Sequence, residues 1–486
     1  MLKNKIKATL LVVLLTALSI SANAQDHAYS LEECIKIAFE NNLNVQRGTL
    51  DQQSAEITLK ESKMSRLPDL NVGSGYGRSW GRSINSVTNE FETIQRNSAG
   101  INGSSSMALF NGMQITNSIR QSIIDLEAGR ADLEKVKNDV TLSVANLYLN
   151  VIFNDELQKN AQLQVKSTNE QLGRTKTLVD AGALPRTNLL DIQAQLATNE
   201  LNQINAENNY NLAVLQLKQA LLIPASDAFA IEVPEFEVED AQQENFQADD
   251  IYKTAETTQP EIKSADLRVR SADLGMKISK GSYMPRLSLS AGLNTNYSNS
   301  PFSSQRPIYD GDEIIEVPFG YLASDPSQQV ISSLSQPKLV GVDQISFTEQ
   351  LDENLSQNIN LNLQIPIFSR WRNKATVQRS LIAKRRAELI STEVRNNLRQ
   401  TIETAYNNYV AAAKSYSASE RQVTALEESY RVIETQYNAG AVNFVEYQIA
   451  ANNLYMARSD KLRAKYDYIF KRKVLDFYLG NPLTFK

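Results

Sequence analysis

Most residue types from which reactive centres are built are scarce in this 486-residue chain, which has one histidine and one cysteine. A lone cysteine, Cys34, excludes a disulfide within the chain. The residues before it, Leu31-Glu-Glu33, are not the small apolar context of a lipidated cysteine, so Cys34 is expected to be a half-buried helix residue. His27 by itself makes neither a catalytic triad nor a histidine metal site, and it lies where a chain end frays. No Gly-rich phosphate loop accompanies the acids, and pairs such as Glu32-Glu33 and Glu427-Glu428 read as solvated helix faces. No enzyme, cofactor or metal is expected. Long apolar runs are missing as well: beyond Gln25 none approaches the roughly 18 residues of a membrane-spanning helix. A membrane form of this chain has to be built from strands. An excess of positive charge is also absent, with 50 Lys and Arg against 55 Asp and Glu, and nothing points to nucleic acid.

What is present is an ordinary folded composition, 22% charged and 42% hydrophobic, behind a leader pattern. Lys3, Lys5 and Lys7 precede an apolar run from Ala8 to Ile20, and Ala22-Asn-Ala24 follows. Residues 1–24 therefore read as a secretory signal peptide cut after Ala24. Its removal takes away three lysines and no acids, moving the net charge from −5 to about −8.

The rest is organised around a repeat. Leu178-Val-Asp-Ala-Gly-Ala-Leu-Pro-Arg-Thr-Asn-Leu-Leu-Asp191 has a near copy of its core in Gln436-Tyr-Asn-Ala-Gly-Ala-Val-Asn-Phe-Val-Glu446, and the glycines Gly182 and Gly440 are 258 positions apart. In each copy a heptad-like pattern runs in, Ala-Gly-Ala interrupts it, and a second helical pattern runs out. This is a helical hairpin, with glycine taking positive φ just past one helix and Pro185 placed for the first turn of the next. Ahead of the first tip, Leu126, Leu133, Val140 and Leu147 sit seven apart with Val136, Val144 and Val151 beside them. Roughly 70 residues of unbroken helix make a rod of about 105 Å, longer than any compact domain holds. The return helices are expected near 186–222 and 443–479. A second match, Ser54-Ala-Glu-Ile57 and Pro68-Asp-Leu70 against Ser271-Ala-Asp-Leu274 and Pro285-Arg-Leu287, carries an offset of 217. The first helix, opened by a Ser30/Glu33 capping box, should run from 31 to 64 and stop before Pro68. Residues 25–249 form the first copy and 250–486 the second.

Each copy also holds two stretches of period two. Over 70–82, Leu70, Val72, Tyr76 and Trp80 alternate with glycine, serine and asparagine, and a partner is expected over 101–110. The second copy repeats this over 286–297 and 355–368, where Leu and Ile alternate with Ser, Asn and Gln. Such strands have one face for hydrocarbon and one for water. The offset grows from 217 to 258 between the second pair, so about 41 extra residues lie within 301–354, expected to form a long polar loop. Four strands per chain cannot close in lipid, and bacterial barrels start at about eight; three chains supply twelve.

A chain of this pattern resembles the TolC-like outer-membrane efflux protein family. The residues that carry the likeness are Leu31-Glu-Glu-Cys-Ile-Lys-Ile-Ala-Phe-Glu-Asn-Asn-Leu43, the strand exits ending in Gly112 and Phe368, and the two Ala-Gly tips. The resemblance implies a mainly α protein with a membrane β-barrel: a homotrimer in outer-membrane lipid, with a 12-stranded barrel continuous with a long periplasmic α-barrel. It implies a channel for drugs or proteins, docked to a periplasmic membrane-fusion adaptor and an inner-membrane pump. In that family an acid six positions after the tip glycine contributes to a periplasmic gate. Glu446 is that acid in the second copy, whereas the first has Asn188 and places Asp191 three positions on. Asn188, Asp191 and Glu446 are thus the gate or entrance candidates, and Ala181, Gly182, Ala183, Ala439, Gly440 and Ala441 the adaptor-contacting tips. Acids in a first helical turn also complement the macrodipole, and the tips also serve as helix caps. The competing reading is a secreted coiled-coil structural or adhesive protein without a pore. The alternating strands, with Tyr76, Trp80, Phe368 and Trp371 as interface aromatics, argue against it.

Overall fold

The computed structural model describes residues 28–84, 90–234, 247–481 and 483. The expected signal peptide and His27 lie outside them. The first copy contains β1 (Ala28–Tyr29), α1 (Leu31–Asn41), α2 (Leu43–Met64), β2 (Asn71–Ile84), β3 (Phe91–Asn111), α3 (Gln114–Asp180), α4 (Arg186–Ala220) and β4 (Ala230–Ile231). The second contains α5 (Ala248–Thr258), α6 (Pro260–Lys280), β5 (Arg286–Ser298), the single turn α7 (Pro301–Ser304), β6 (Gln305–Leu322), β7 (Asp325–Gln344), α8 (Phe347–Glu353), β8 (Ser356–Gln364), α9 (Arg372–Asn438) and α10 (Phe444–Tyr478). The chain divides into two compact units, one of Met1–Leu59, Gln121–Asp273 and Ile382–Lys486, the other of Lys60–Arg120 and Leu274–Leu381.

The first unit is helical. α3 and α9 each hold 67 residues and α4 and α10 each hold 35. The heptad residues Leu126, Leu133, Val140, Val144 and Val151 are buried. Val144, Tyr148 and Ile152 of α3 pack with Cys34 of α1, Leu217 of α4, Ile251 of α5, Ile402 of α9 and Leu475 of α10 in one cluster. Burying side chains of this size contributes about 1.5–3 kcal/mol each. β1 pairs in parallel with β4, Tyr29 opposite Ile231, and the Tyr148 hydroxyl donates to the Glu232 carbonyl at 2.5 Å. Cys34 is fully buried where half-burial was expected, and burial pushes its thiol up to about 12. Lys218 is also buried; its Nζ donates to the carbonyls of Ala225 at 2.8 Å and Asp227 at 2.6 Å and so pins the loop after α4. Three of the four paired acids are engaged: Glu33 closes the capping box with Ser30, Glu427 pairs with Arg458, and Glu428 with Arg431.

The first helix is not continuous from 31 to 64. Asn42 takes extended backbone, φ −63 and ψ 123, and its side chain accepts from the Asn44 N–H at 2.8 Å, a local bond that competes with the helix. The second copy breaks at Gln259, also extended, because Pro260 excludes α geometry from the residue before it.

The second unit contains a four-stranded antiparallel sheet in the order β2-β3-β5-β8, so β2 and β8 are its edges. The register puts Val72 opposite Gly103 and Leu293 beyond it, while Met107, Leu289 and Leu361 form a row across three strands. By alternation these lie on one face with Tyr76 and Trp80. Gly73, Asn102, Gly292 and Asn358 lie on the other. β3 starts at Phe91 rather than 101, its polar first half giving no readable alternation; β8 stops at Gln364 rather than 368, where Pro366 ends pairing.

The 301–354 stretch is not an unstructured loop. β6 and β7 form a two-stranded antiparallel ribbon interrupted by register shifts, and the capped helix α8 follows, with the Gln350 side chain accepting from the Ser298 N–H at 3.0 Å. Pro307, Gly311, Pro318, Gly320, Pro337 and Gly341 hide the strand pattern, and several sit at or beside those shifts.

Each copy turns from strand to helix through two consecutive residues at positive φ, Gly112 (65) and Met113 (62) in the first, Arg370 (49) and Trp371 (68) in the second. At Gly112 a Cβ would meet the Gly281 carbonyl oxygen at 2.3 Å, so the first bend admits only glycine without movement.

Candidate functional site

The two hairpin tips are built alike. After α3, the Gly182 N–H donates to Val179 O at 2.9 Å and the Ala183 N–H to Leu178 O at 2.8 Å; after α9, Gly440 and Ala441 repeat this with Tyr437 O at 3.0 Å and Gln436 O at 2.8 Å. These are Schellman caps, and both glycines take the positive φ they need, 75 and 72. Ala181, Gly182, Ala183, Ala439, Gly440 and Ala441 are all exposed.

The first turns after the tips differ. Asn443 caps α10: its Oδ1 accepts from the Glu446 N–H at 2.9 Å and its amide donates to the Glu446 carboxylate, also at 2.9 Å. The corresponding residue of α4 is Pro185, which offers no side-chain cap; the Asn188 N–H donates to its carbonyl at 3.1 Å. Glu446 and Asp191 are exposed and Asn188 is half-buried.

The structure brings the two hairpins side by side through residues the sequence reading did not single out. Ile192 of α4 is buried against Phe444 and Tyr447 of α10, with Leu172, Leu189, Tyr430, Ile433 and Tyr437 around them. The Tyr437 and Tyr447 rings stack at 4.8 Å, and the Tyr430 and Tyr447 hydroxyls are hydrogen-bonded at 2.9 Å. Burial raises both of those phenols, Tyr430 and Tyr447, above the usual tyrosine range. An amide ladder follows: the Gln448 amide donates to the Gln195 carbonyl oxygen, Gln195 to Asn452 at 3.2 Å, and Asn199 to Thr168 at 2.8 Å. Thr168, Gln195, Gln448 and Asn452 help line a cavity of about 270 Å3 between the hairpins. The seven-residue spacing of Tyr430 and Tyr437 was the only local signal for this cluster; Phe444 and Tyr447 lie across the turn. Among the described residues no group of acids, histidine or cysteine could hold a metal ion, and no helix is long and apolar enough to cross a membrane.

A duplicated chain that joins paired helical hairpins to a two-faced sheet with both edges open defines a class of envelope proteins that combine helices with membrane strands. The pattern of the family described as "Outer membrane efflux protein" matches residues 34–221 and 251–481, and the chain belongs to that family. The chain is 23% identical to outer membrane protein TolC of Escherichia coli (strain K12), over 97% of this chain and 86% of that protein. It is 21% identical to the pyoverdine export outer membrane protein OpmQ of Pseudomonas aeruginosa, over 89% of this chain and 81% of that one. The fold is similar to that of the solved channel CusC, with a TM-score of 0.70 at 16% identity, covering 93% of this chain and 92% of that one. The protein is thus an outer-membrane efflux protein of mainly helical fold with a β domain, from a family of channels, and the pore-free coiled-coil alternative is not favoured.

Proposed function

We propose that three copies of this chain form the outer-membrane channel of a tripartite efflux or type I secretion system, passing small molecules or proteins outward from a periplasmic adaptor and an inner-membrane pump. The observation that carries this reading is the open four-stranded sheet, one face of which carries Val72, Tyr76, Trp80, Leu289, Ile359 and Leu361, with Arg78 and Arg82 toward the far end of β2, while the other is rich in Gly, Ser and Asn. The apolar face is exposed, with Val72 at 75%, Trp80 at 70% and Ile359 at 78% accessible, and it needs lipid. The edges β2 and β8 need strands of other chains, because unpaired backbone groups are too costly in a bilayer. Three chains of four strands close a barrel of 12. The polar face then lines the passage.

In this reading residues 1–24 are the cleaved leader, and the copies 25–249 and 250–486 contribute one hairpin tip each. Six tips surround the periplasmic mouth, where Glu446, Asp191 and Asn188 line the entrance and the exposed Ala-Gly-Ala turns are gripped by the adaptor. Detergent-solubilised protein should have the mass of three chains and conduct ions in a planar bilayer. A monomer that conducts on its own would overturn the closure argument.

A further inference from the structure

We propose that the junction between β8 and α9 binds the phosphate headgroup of an anionic phospholipid in the inner leaflet of the outer membrane, an inference that rests on the membrane reading of the sheet. Beyond the end of β8, Ile367 and Phe368 are 89% and 85% accessible and Trp371 is 59% accessible. Interleaved with them are Arg370, Arg372 and Lys374, all exposed, and Arg286 lies opposite Gln364 in the last pair of the sheet. None of these four cations has an ion pair among the described residues. Apolar and aromatic side chains at the rim of the apolar face, with free guanidinium and ammonium groups beside them, match a ligand that joins acyl chains to a phosphodiester. Arginine suits that phosphate through its paired N–H donors.

The fold does not require these residues. The first copy makes the same bend with Asn111, Gly112, Met113, Gln114 and Thr116, none of them charged, and only Arg286, which also lies opposite Asn111, is shared between the two junctions. At the position of Gly112 the second copy places Arg370 at φ 49, where a side chain is unfavourable. The cations also stand at the positive end of a 67-residue helix with no acid in its first turn, so they repel the dipole unless an anion is present. The bend is anchored on its own account: the Asn373 amide donates to the Ser282 carbonyl at 2.9 Å, and the Ser369 hydroxyl accepts from the Asn373 N–H at 3.3 Å. The opposite end of the sheet carries charges of both signs, with Arg82 beside the pair of Ser83 and Glu92; the site's side of the membrane follows instead from its place at the start of α9, whose far end carries a periplasmic tip in the reading above.

The test uses the full-length protein and a variant carrying the first copy's residues, Arg370→Gly, Arg372→Gln and Lys374→Thr. Thermal unfolding is followed in phosphatidylcholine nanodiscs as phosphatidylglycerol is added, and separately with inorganic phosphate. Phosphatidylglycerol should stabilise the unaltered protein with an apparent affinity that falls roughly fivefold per cation removed. Phosphatidylcholine and phosphate should do neither. An equal lipid response in the variant, or a response to phosphate as large as to the lipid, would overturn the proposal. If the triple variant does not assemble, Arg372→Gln with Lys374→Thr, which leaves the bend untouched, gives the same reading with a smaller loss. Bilayer conductance of the unaltered protein reports the channel reading independently.

Discussion

The two copies of the repeat trace one backbone with different side chains. Both turn from β-hairpin to long helix through a pair of positive φ values, yet the first uses Gly112 and Met113 and the second Arg370 and Trp371. Both end their return helix in the left-handed region, the first at Leu222 (φ 55) and the second at Gly480 (φ 88). Near the tips the second copy carries Tyr430, Tyr437, Phe444 and Tyr447 where the first has Leu172, Val179, Arg186 and Leu189. The bends are what the architecture demands of each copy. The residues that occupy them are where the copies have diverged, and one copy serves as the control for the other.

The sharpest way to break the equivalence is to exchange the bend residues. Gly112→Arg should cost about 3 kcal/mol or more, since its Cβ falls 2.3 Å from the Gly281 oxygen and 2.8 Å from the Met284 Cβ. Arg370→Gly should instead gain about 1 kcal/mol in detergent. Thermal unfolding of the two single variants measures both, and equal stability would mean that the bends are interchangeable after all.

Next in size are the tips, where the copies should agree. A Cβ at Gly182 or Gly440 meets nothing within 4 Å, so the penalty for valine is conformational alone. Each substitution should cost about 1–2 kcal/mol, and the pair should impair export in cells. Unequal losses would show that one tip has a partner the other lacks; normal export with both would leave the turns as helix caps only.

A smaller difference has the opposite sign. Leu222→Gly should stabilise by about 0.5–1 kcal/mol and Gly480→Leu should destabilise by a similar amount, read as shifts in unfolding midpoint. The least effect on stability is expected from Glu446→Ala combined with Asp191→Ala, both exposed. Their removal should lower cation preference in single-channel recordings while the trimer persists. Unchanged selectivity would take these acids out of the entrance.

Much of this was readable from periodicity. The heptads of α3, the strand alternation after Leu70 and Leu287, and the tip glycines are signals that a few neighbouring residues carry by themselves. The break at Gln259 was equally local, being written in Pro260. The break at Asn42 was not, because a buried or helical asparagine looks the same in sequence as one that caps its neighbour. The β6–β7 ribbon escaped notice because prolines and glycines mark both loops and bulged strands. At the candidate site the glycines could be found from their spacing. The pairing of Ile192 with Phe444 and Tyr447, and the ladder from Thr168 to Asn452, join segments far apart in the chain and follow only from the packing of one copy on the other.

Buried Cys34 makes the chain an unusually quiet background for chemical labelling. Maleimides and disulfide reagents attack the thiolate, which a thiol raised to about 12 scarcely populates at neutral pH, and no path leads them to a side chain with no accessible surface. A cysteine introduced at Ala183 or Ala441 would therefore be the one group such reagents see, so spin labels, dyes or crosslinkers at the tips could be read without first engineering the native sulfur away.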